Sequence, residues 1–332
     1  MSPRTLDRAG VGLALCTLIS FGLLACSADE GLDIVDERVG ELDAAAIDSM
    51  HLGRVHLIIE PAAEADDDRD ASPALEITAR FIQYRGFAEG FVRSSFDLSA
   101  PVHERLAVGE CKPTDSLEAS EPWGSEQGHG LRDDSLREIL LLDAGNIRVH
   151  LGELRFDLGL ALIPDLLPYV AGVEYIHTVD ALDGFLPGEG SEAVTIEVDG
   201  AGDDELPGFI HRADLPAPLA LRDATGTFER DSITLRWRAG QGLRGADARP
   251  LTLRLASLSS SQQTGREITC LVPDTGEARL DLRELGELGL GGSGDVLSVE
   301  ASRVAVTHFE TGDFVDGEVL VEVRDRYQTR LP

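Results

Sequence analysis

The chain has 332 residues, 42% of them hydrophobic and 5% aromatic, and its 60 acidic and 29 basic residues give a formal net charge of −31 at pH 7. A polyanion is repelled by nucleic acid and by anionic lipid surfaces, so neither is an expected partner. The length and the apolar content are sufficient for sizeable cores and favour two domains over one.

The first 25 residues have the layout of a secretory signal peptide. Arg4 and Arg8 precede an almost wholly apolar run over residues 10–25, which ends in the small residue Ala25. The run is shorter than the roughly 20 residues that a membrane-spanning helix needs. We therefore expect residues 1–25 to be a cleaved signal peptide, with an uncleaved anchor as the alternative.

The sequence Leu23-Leu24-Ala25-Cys26 resembles the lipobox of bacterial lipoproteins. The resemblance implies that Cys26 is acylated, becomes the first residue of the mature protein and ties it to a membrane. Ser27 fits the outer-membrane sorting pattern of that family. The expected location is thus the bacterial cell envelope, at the outer membrane. A signal peptide with an incidental cysteine is the alternative.

An acidic segment follows the proposed lipidation site. Residues 27–50 contain eight acidic residues and one basic residue, Arg38, and they show no β-rich run. Such composition is typical of a disordered chain that repels itself. We therefore predict that residues 26–50, the lipidated cysteine and its tether, hold the folded part away from the bilayer.

A β-rich N-terminal domain is predicted over residues 51–212. Short runs with alternating or β-branched residues indicate strands at 51–59, 74–82, 86–98, 146–151, 172–179 and 193–198. Acidic or polar loops are expected at 62–73 and 112–134. The segment 135–145 fits either a short helix or a strand followed by a turn.

A second β domain is predicted over residues 213–328. Strand-like runs with turn signals between them lie at 217–223, 231–240, 250–257, 267–273, 276–282, 295–309 and 317–325. Their number and spacing predict an antiparallel sandwich, with a helical turn at 284–290. The predicted fold class is therefore all-β, with two antiparallel sandwich-like domains.

One strand of the second domain carries a more specific pattern. Ile233, Leu235 and Trp237 share one face by the two-residue period of a strand, which predicts that they face the core. Residues 232–237 resemble the second strand of fibronectin type III and related immunoglobulin-like domains, which implies an inter-sheet tryptophan. The order of lipobox, acidic spacer, β-rich half and tryptophan-bearing sandwich also resembles uncharacterised envelope lipoproteins of Gram-negative bacteria, which implies no activity.

Two of the four cysteines remain for pairing. Cys16 leaves with the signal peptide and Cys26 is the expected lipidation site, which leaves Cys111 and Cys270. An oxidising envelope favours a disulfide between them, and two separately buried thiols are the alternative. Because the chain has no Cys-x-x-Cys pair or cysteine-histidine cluster, a structural zinc site is not expected.

Two short motifs suggest chemistry but are better explained by turns. Asp274-Thr275-Gly276 is the triplet of aspartic proteases, which need a second carboxylate close by; here Glu277 follows and the triplet is not repeated. Residues 240–245 spell Gly-x-Gly-x-x-Gly, yet another strand follows instead of the helix that a dinucleotide site requires. We predict a turn and a hairpin loop, and no organic cofactor.

Acidic loop residues are the weak candidates for metal binding. Carboxylates in two loops could hold calcium through oxygen ligands; the candidates are Asp66, Asp68, Asp70, Asp199 and Asp203. Neither loop has the spaced pattern of a calcium-binding loop, and a solvated acidic loop is the alternative.

The histidines are scattered along the chain. His51 and His56 are expected on opposite faces of one strand, so they do not form a ligand pair. His150 and His177 lie in strand-like runs and are expected to be structural. The sequence contains no Gly-x-Ser-x-Gly motif, so serine hydrolase chemistry is not expected.

These observations predict a lipid-anchored envelope protein that binds a protein or glycan ligand or serves as a structural surface component, and that is not an enzyme. The membrane contact is expected through acylated Cys26. The alternatives are a hydrolase whose site is assembled only in three dimensions and a calcium-dependent adhesion module. A pocket with a histidine-carboxylate pair would favour the hydrolase.

Overall fold

We describe the protein from a computed structural model. It describes residues 49–60, 73–118, 137–167, 170–182, 193–202, 206–221, 231–240, 250–258, 266–291 and 294–331. Strands dominate these ranges, which confirms the predicted all-β class. None of the helices within them is long and apolar enough to cross a membrane.

The part of the chain before residue 215 contributes ten strands to the described structure. They are β1 (Met50–Glu60), β2 (Ala74–Arg85), β3 (Cys111–Pro113), β4 (Glu138–Leu141), β5 (Ile147–Leu151), β6 (Leu154–Asp157), β7 (Gly159–Leu167), β8 (Val170–Val179), β9 (Ala193–Gly202) and β10 (Leu206–Asp214). Three short helices lie between β2 and β4, namely α1 (Glu89–Ser95), α2 (Val102–Arg105) and α3 (Thr114–Glu118).

The remainder contributes six strands and one helix to the described structure. They are β11 (Ser232–Arg236), β12 (Pro250–Leu258), β13 (Ile268–Pro273), β14 (Glu277–Asp281), α4 (Leu282–Glu287), β15 (Val296–Thr311) and β16 (Phe314–Arg330). Six of the seven strands expected here therefore form. The seventh, at 217–223, does not, because the described residues 217–221 are irregular.

A ten-stranded sheet, which we call the main sheet, organises the described chain. Its order is β3-β13-β12-β15-β16-β1-β2-β4-β8-β7. Most neighbours are antiparallel, but β1 and β16 pair in parallel at the centre, with Arg54 opposite Glu318 and Ile58 opposite Glu322. The first strand of the described chain is thus hydrogen-bonded to the last one described.

Two small sheets cover one face of the main sheet. The sheet β10-β9-β5-β6 packs on β1, β2 and β16, and the pair β11–β14 packs on β12, β13 and β15. Ile233, Leu235 and Trp237 lie in the second of these cores, which confirms their predicted orientation. Side chains alternate along strands, so one set of main-sheet residues fills both cores and the other set points to the opposite face.

The predicted division into domains at residues 212 and 213 is not confirmed. Strands from both sides of this boundary join in the main sheet, through the β1–β16 pairing and through the β3–β13 pairing. The whole segment 46–332 forms one compact unit by its contacts.

One predicted strand, at 86–98, is instead the helix α1. The strand is predicted from a run with alternating or β-branched residues, but Phe87, just before α1, and Phe91 are four residues apart and stack with ring centroids 5.4 Å apart. Glu89 and Arg93, also four apart, form an ion pair. This spacing matches a helix face, whereas a strand would place these residues without contact. The ambiguous segment 135–145 contains the strand β4.

Candidate functional site

A groove of about 310 Å³ lies on the face of the main sheet that the two small sheets leave uncovered. Its floor consists of side chains from β1, β2, β12, β15 and β16, and its wall is the segment 97–105, which we call the groove wall. The floor side chains are mainly arginine, glutamate, threonine and serine. A short apolar cluster next to the groove, which includes Leu52, Ile82 and Val92, fixes α1 and hence the start of the wall.

Two floor arginines hold the groove wall by its backbone. Arg54 is 5% exposed and donates to the carbonyl oxygens of Asp97, Leu98 and Ser99 at 2.9 to 3.0 Å. Arg80 donates from Nη1 to the carbonyl of Phe96 at 2.6 Å. The floor therefore binds four consecutive peptide carbonyls.

Each of these arginines has a carboxylate partner. Arg54 and Arg80 lie directly opposite each other on β1 and β2, where like charges repel. Arg54 Nε donates to Glu318 at 3.0 Å, and Arg80 Nε donates to Glu174 at 2.5 Å. Burial lowers the pKa of Arg54, and Glu318 counteracts this effect. The four side chains form a balanced row across β16, β1, β2 and β8.

A second network occupies the middle of the floor. Glu322 is 6% exposed, and its Oε2 lies 3.2 Å from His56 Nε2 and accepts from Arg324 Nη2 at 3.0 Å. Arg324 Nη1 also donates to Glu60 at 3.1 Å. Burial alone would raise the pKa of Glu322, but the hydrogen bonds from His56 and Arg324 outweigh it and hold the pKa well below its usual range.

The lining of the groove is more cationic than the rest of the chain. It includes five arginines and one histidine against three acidic residues, Glu76, Asp97 and Glu322, whereas the whole chain has a net charge of −31. Apart from the imidazole of His56, the described lining residues include no aromatic ring. The groove can thus form many charged hydrogen bonds but cannot stack on a sugar ring.

The predicted cysteine pair is present near the groove. Cys111 and Cys270 lie opposite each other on β3 and β13 and are joined with an S–S distance of 2.06 Å. β3 begins at Cys111, shortly after the groove wall ends at Arg105. The disulfide therefore fixes the C-terminal end of the wall segment to the main sheet.

Of the other predicted site residues, the structure describes Asp199. Cys26, Asp66, Asp68, Asp70 and Asp203 lie outside the described residues. Asp199 accepts hydrogen bonds from Asn146 and Arg148. The described ranges contain no group of three or more histidine, cysteine or acidic side chains that could hold a metal ion.

Asp274 of the protease-like triplet is a structural residue. Its carboxylate accepts from Arg303 Nε at 2.7 Å, from Arg303 Nη2 at 2.9 Å and from Trp237 Nε1 at 2.7 Å. Both charged side chains are under 10% exposed. The carboxylate faces a guanidinium and an indole instead of a second carboxylate, so the turn interpretation is the better one. Of the glycine-rich stretch, residues 241–245 lie outside the described residues.

The histidines mostly occupy the predicted kinds of position. His51 packs on Phe314 with ring centroids 5.2 Å apart, on the face opposite to His56. His150 lies 3.5 Å from Glu197, and His177 packs against Phe156. His56 is the functional candidate that sequence reasoning missed.

One pattern in the amino-acid sequence indicates part of the groove floor. Along β16 the charged residues Glu318, Glu322, Arg324 and Arg326 alternate with the buried apolar residues of the opposite face. This period of two predicts a polar face, but it does not identify which strands lie beside it. Neither a scan against protein-family models nor a search of curated proteins found a match for the chain.

Proposed function

We propose that the protein is a lipid-anchored component of the bacterial envelope that binds another protein in the groove of the main sheet. The observation that carries the binding proposal is the floor itself, where Arg54, Arg80, Glu322 and Arg324 are buried or half-buried and held by several hydrogen bonds each. Side chains fixed in this way lose little conformational entropy when a ligand binds.

A protein ligand is favoured over a glycan by two features. The guanidinium groups of Arg54 and Arg80 already bind the carbonyls of residues 96–99, so the floor side chains are suited to peptide carbonyl groups. The described lining also lacks an aromatic platform for sugar rings.

The anchor proposal rests on Leu23-Leu24-Ala25-Cys26 and can be tested directly. Cells that make the protein are fed an alkyne-bearing fatty acid, and the protein is then labelled through the alkyne. We expect label on the wild-type protein and none on a Cys26→Ala variant. Equal label on both would contradict lipidation at Cys26.

Groove binding is tested by placing a photo-crosslinking amino acid at Ala100 of the groove wall in the lipidated, tagged protein. The matched control carries the same amino acid at Ile210, an exposed residue of β10 (71% exposed). After irradiation of native envelopes, we expect one near-stoichiometric protein adduct from position 100 and none from position 210. The same adducts from both positions, or none from position 100, would count against a binding groove.

Hydrolysis is a second candidate, favoured by the His56–Glu322 contact. A carboxylate that orients an imidazole is the arrangement of many general bases, and Thr78 lies directly opposite His56 on β2. Chromogenic esters, peptides and glycosides can be tested with wild-type protein and a His56→Ala variant. Turnover that His56→Ala abolishes would favour the hydrolase, and turnover that the variant retains would assign it to another site or a contaminant.

A further inference from the structure

The arginines that line the groove differ in how many hydrogen bonds their guanidinium groups already donate. Arg54, Arg80 and Arg324 each donate several hydrogen bonds to carboxylates or carbonyls. Arg254 on β12 is different. Its one carboxylate contact in the described chain is Glu300, at 3.6 Å, which is too long for a hydrogen bond.

The carboxylate near Arg254 is engaged elsewhere. Glu300 accepts from Arg326 Nε at 2.9 Å. Arg254 is 40% exposed in its side chain and lines the groove. Its guanidinium therefore retains donors for a ligand.

Two largely buried residues with hydroxyl groups lie beside Arg254. Thr252 and Ser302 are directly opposite each other on β12 and β15, line the groove, and are 7% and 6% exposed. Neither hydroxyl has a hydrogen bond to any residue in the described ranges. Both residues border the groove, so their hydroxyl groups can donate to or accept from a polar group that is bound there.

A second guanidinium approaches this end from the groove wall. Arg105 on α2 lines the groove and is positioned by its Nη1 donation to the carbonyl of Leu117 at 2.6 Å. The β12 end thus combines two arginines and two hydroxyls, whereas Glu76 and Glu322 line the part of the floor nearer β2 and the centre.

We infer that Arg254, Arg105, Thr252 and Ser302 form a subsite for a carboxylate, and that the protein ligand inserts an acidic side chain there. A guanidinium fork matches the two oxygens of a carboxylate, and hydroxyls donate to the remaining lone pairs. The inference rests on the proposed binding function of the groove. The negative net charge of the chain does not oppose it, because exposed charges beyond about 8 Å are largely screened at physiological salt.

The test uses two probes that differ in one group, N-acetylglutamate α-amide and N-acetylglutamine α-amide. Saturation-transfer NMR measures their binding to the full chain in detergent. We expect the glutamate probe to bind about tenfold more tightly, as for a hydrogen bond to a charged group. Arg254→Ala should abolish this preference, and the matched control Arg155→Ala, which removes an exposed arginine of β6, should preserve it.

A second variant separates loss of the subsite from loss of the fold. Thr252→Val combined with Ser302→Ala keeps the charge and the approximate volume, and we expect it to weaken the glutamate probe at least threefold with an unchanged thermal unfolding curve. Equal binding of the two probes, or an unchanged preference in Arg254→Ala, would overturn the subsite. Tighter binding of glucuronate than of the glutamate probe would overturn the choice of a peptide.

Failure of the subsite and failure of the binding function have different signatures. If the probes do not discriminate but the position-100 crosslink persists, only the carboxylate subsite is wrong. If the crosslink is also absent, the binding function of the groove is wrong as well.

Discussion

Glu322 is ionised although it is buried in the groove floor, and its stabilisation comes from two side chains. His56 and Arg324 both contact the carboxylate, and Arg324 would remain half-buried without its main counter-charge if the carboxylate were removed. Breaking a buried pair by removing one partner is more costly than the pair is worth. The ionised carboxylate of Glu322 is thus needed as the counter-charge of Arg324 in the groove floor.

We predict that Glu322→Gln lowers the free energy of unfolding by about 3 kcal/mol at pH 7. The pKa of Glu322 is lowered from the ordinary value of 4.5, so its contribution is fully present above that value and is lost as the pH falls. Urea unfolding at pH 3 should therefore show a difference about 2 kcal/mol smaller. Glu287→Gln on α4 is the exposed control. A difference that does not depend on pH would contradict this account.

Asp274 accepts three hydrogen bonds from two buried side chains, Arg303 and Trp237. We predict that Asp274→Asn lowers the free energy of unfolding by about 3 to 5 kcal/mol, because Arg303 is left buried without its counter-charge. Asp157→Asn, which alters a pair that is exposed on both sides, should change it by less than about 1 kcal/mol. Urea unfolding monitored by Trp fluorescence measures both, and similar losses would disprove the distinction.

The sequence predicts the orientation of some individual side chains but not the partners of others. The core orientation of Ile233, Leu235 and Trp237 was predictable because it depends only on the alternation along one strand. The partner of Asp274 was not, because Arg303 lies 29 residues away on β15 and nothing local specifies which arginine reaches it. The same reason hid His56 and Glu322, which are 266 residues apart.

The groove wall is an element held at its two ends. Arg54 and Arg80 hold its first residues, and the disulfide between β3 and β13 holds the strand that follows it. Between these points the wall contains only the single turn α2. The position of the wall thus depends on tertiary contacts and not on its own secondary structure, which is why the sequence did not predict a groove here.

We predict that Cys111→Ala combined with Cys270→Ala lowers the free energy of unfolding by about 3 to 5 kcal/mol. The cysteines are 159 residues apart, and a crosslink that closes such a long loop restricts the unfolded chain strongly. Hydrogen exchange should also accelerate at the amides of Gly109 and Leu271, which bond across this junction. Unchanged exchange there would show that the β3–β13 pairing does not need the disulfide.

The main sheet makes the described chain one body. Four neighbouring strands from after residue 213 lie between β3 and the block of five earlier strands that begins with β1, with no break in the hydrogen-bonded order. The individual strands were mostly predictable from their local period, but the sheet order was not, since the β1–β16 contact joins residues that the sequence separates by nearly the whole described length.

We therefore predict a single cooperative unfolding transition for the whole folded part. Differential scanning calorimetry should give equal calorimetric and van't Hoff enthalpies. Asp274→Asn, although it lies between β13 and β14, should also reduce the hydrogen-exchange protection of β2, because the two regions unfold together. Two resolved transitions, with β2 unaffected by this substitution, would support two independent domains instead.

The parallel pairing of β1 with β16 has a consequence for how the chain acquires its structure. β1 can form a hairpin with β2 as soon as both are made, but the opposite edge of β1 stays unpaired until β16 is made, more than 250 residues later. Contacts of such high sequence separation slow folding, and a waiting strand edge invites pairing with other chains. We expect newly made protein to depend on chaperones until β16 pairs with β1.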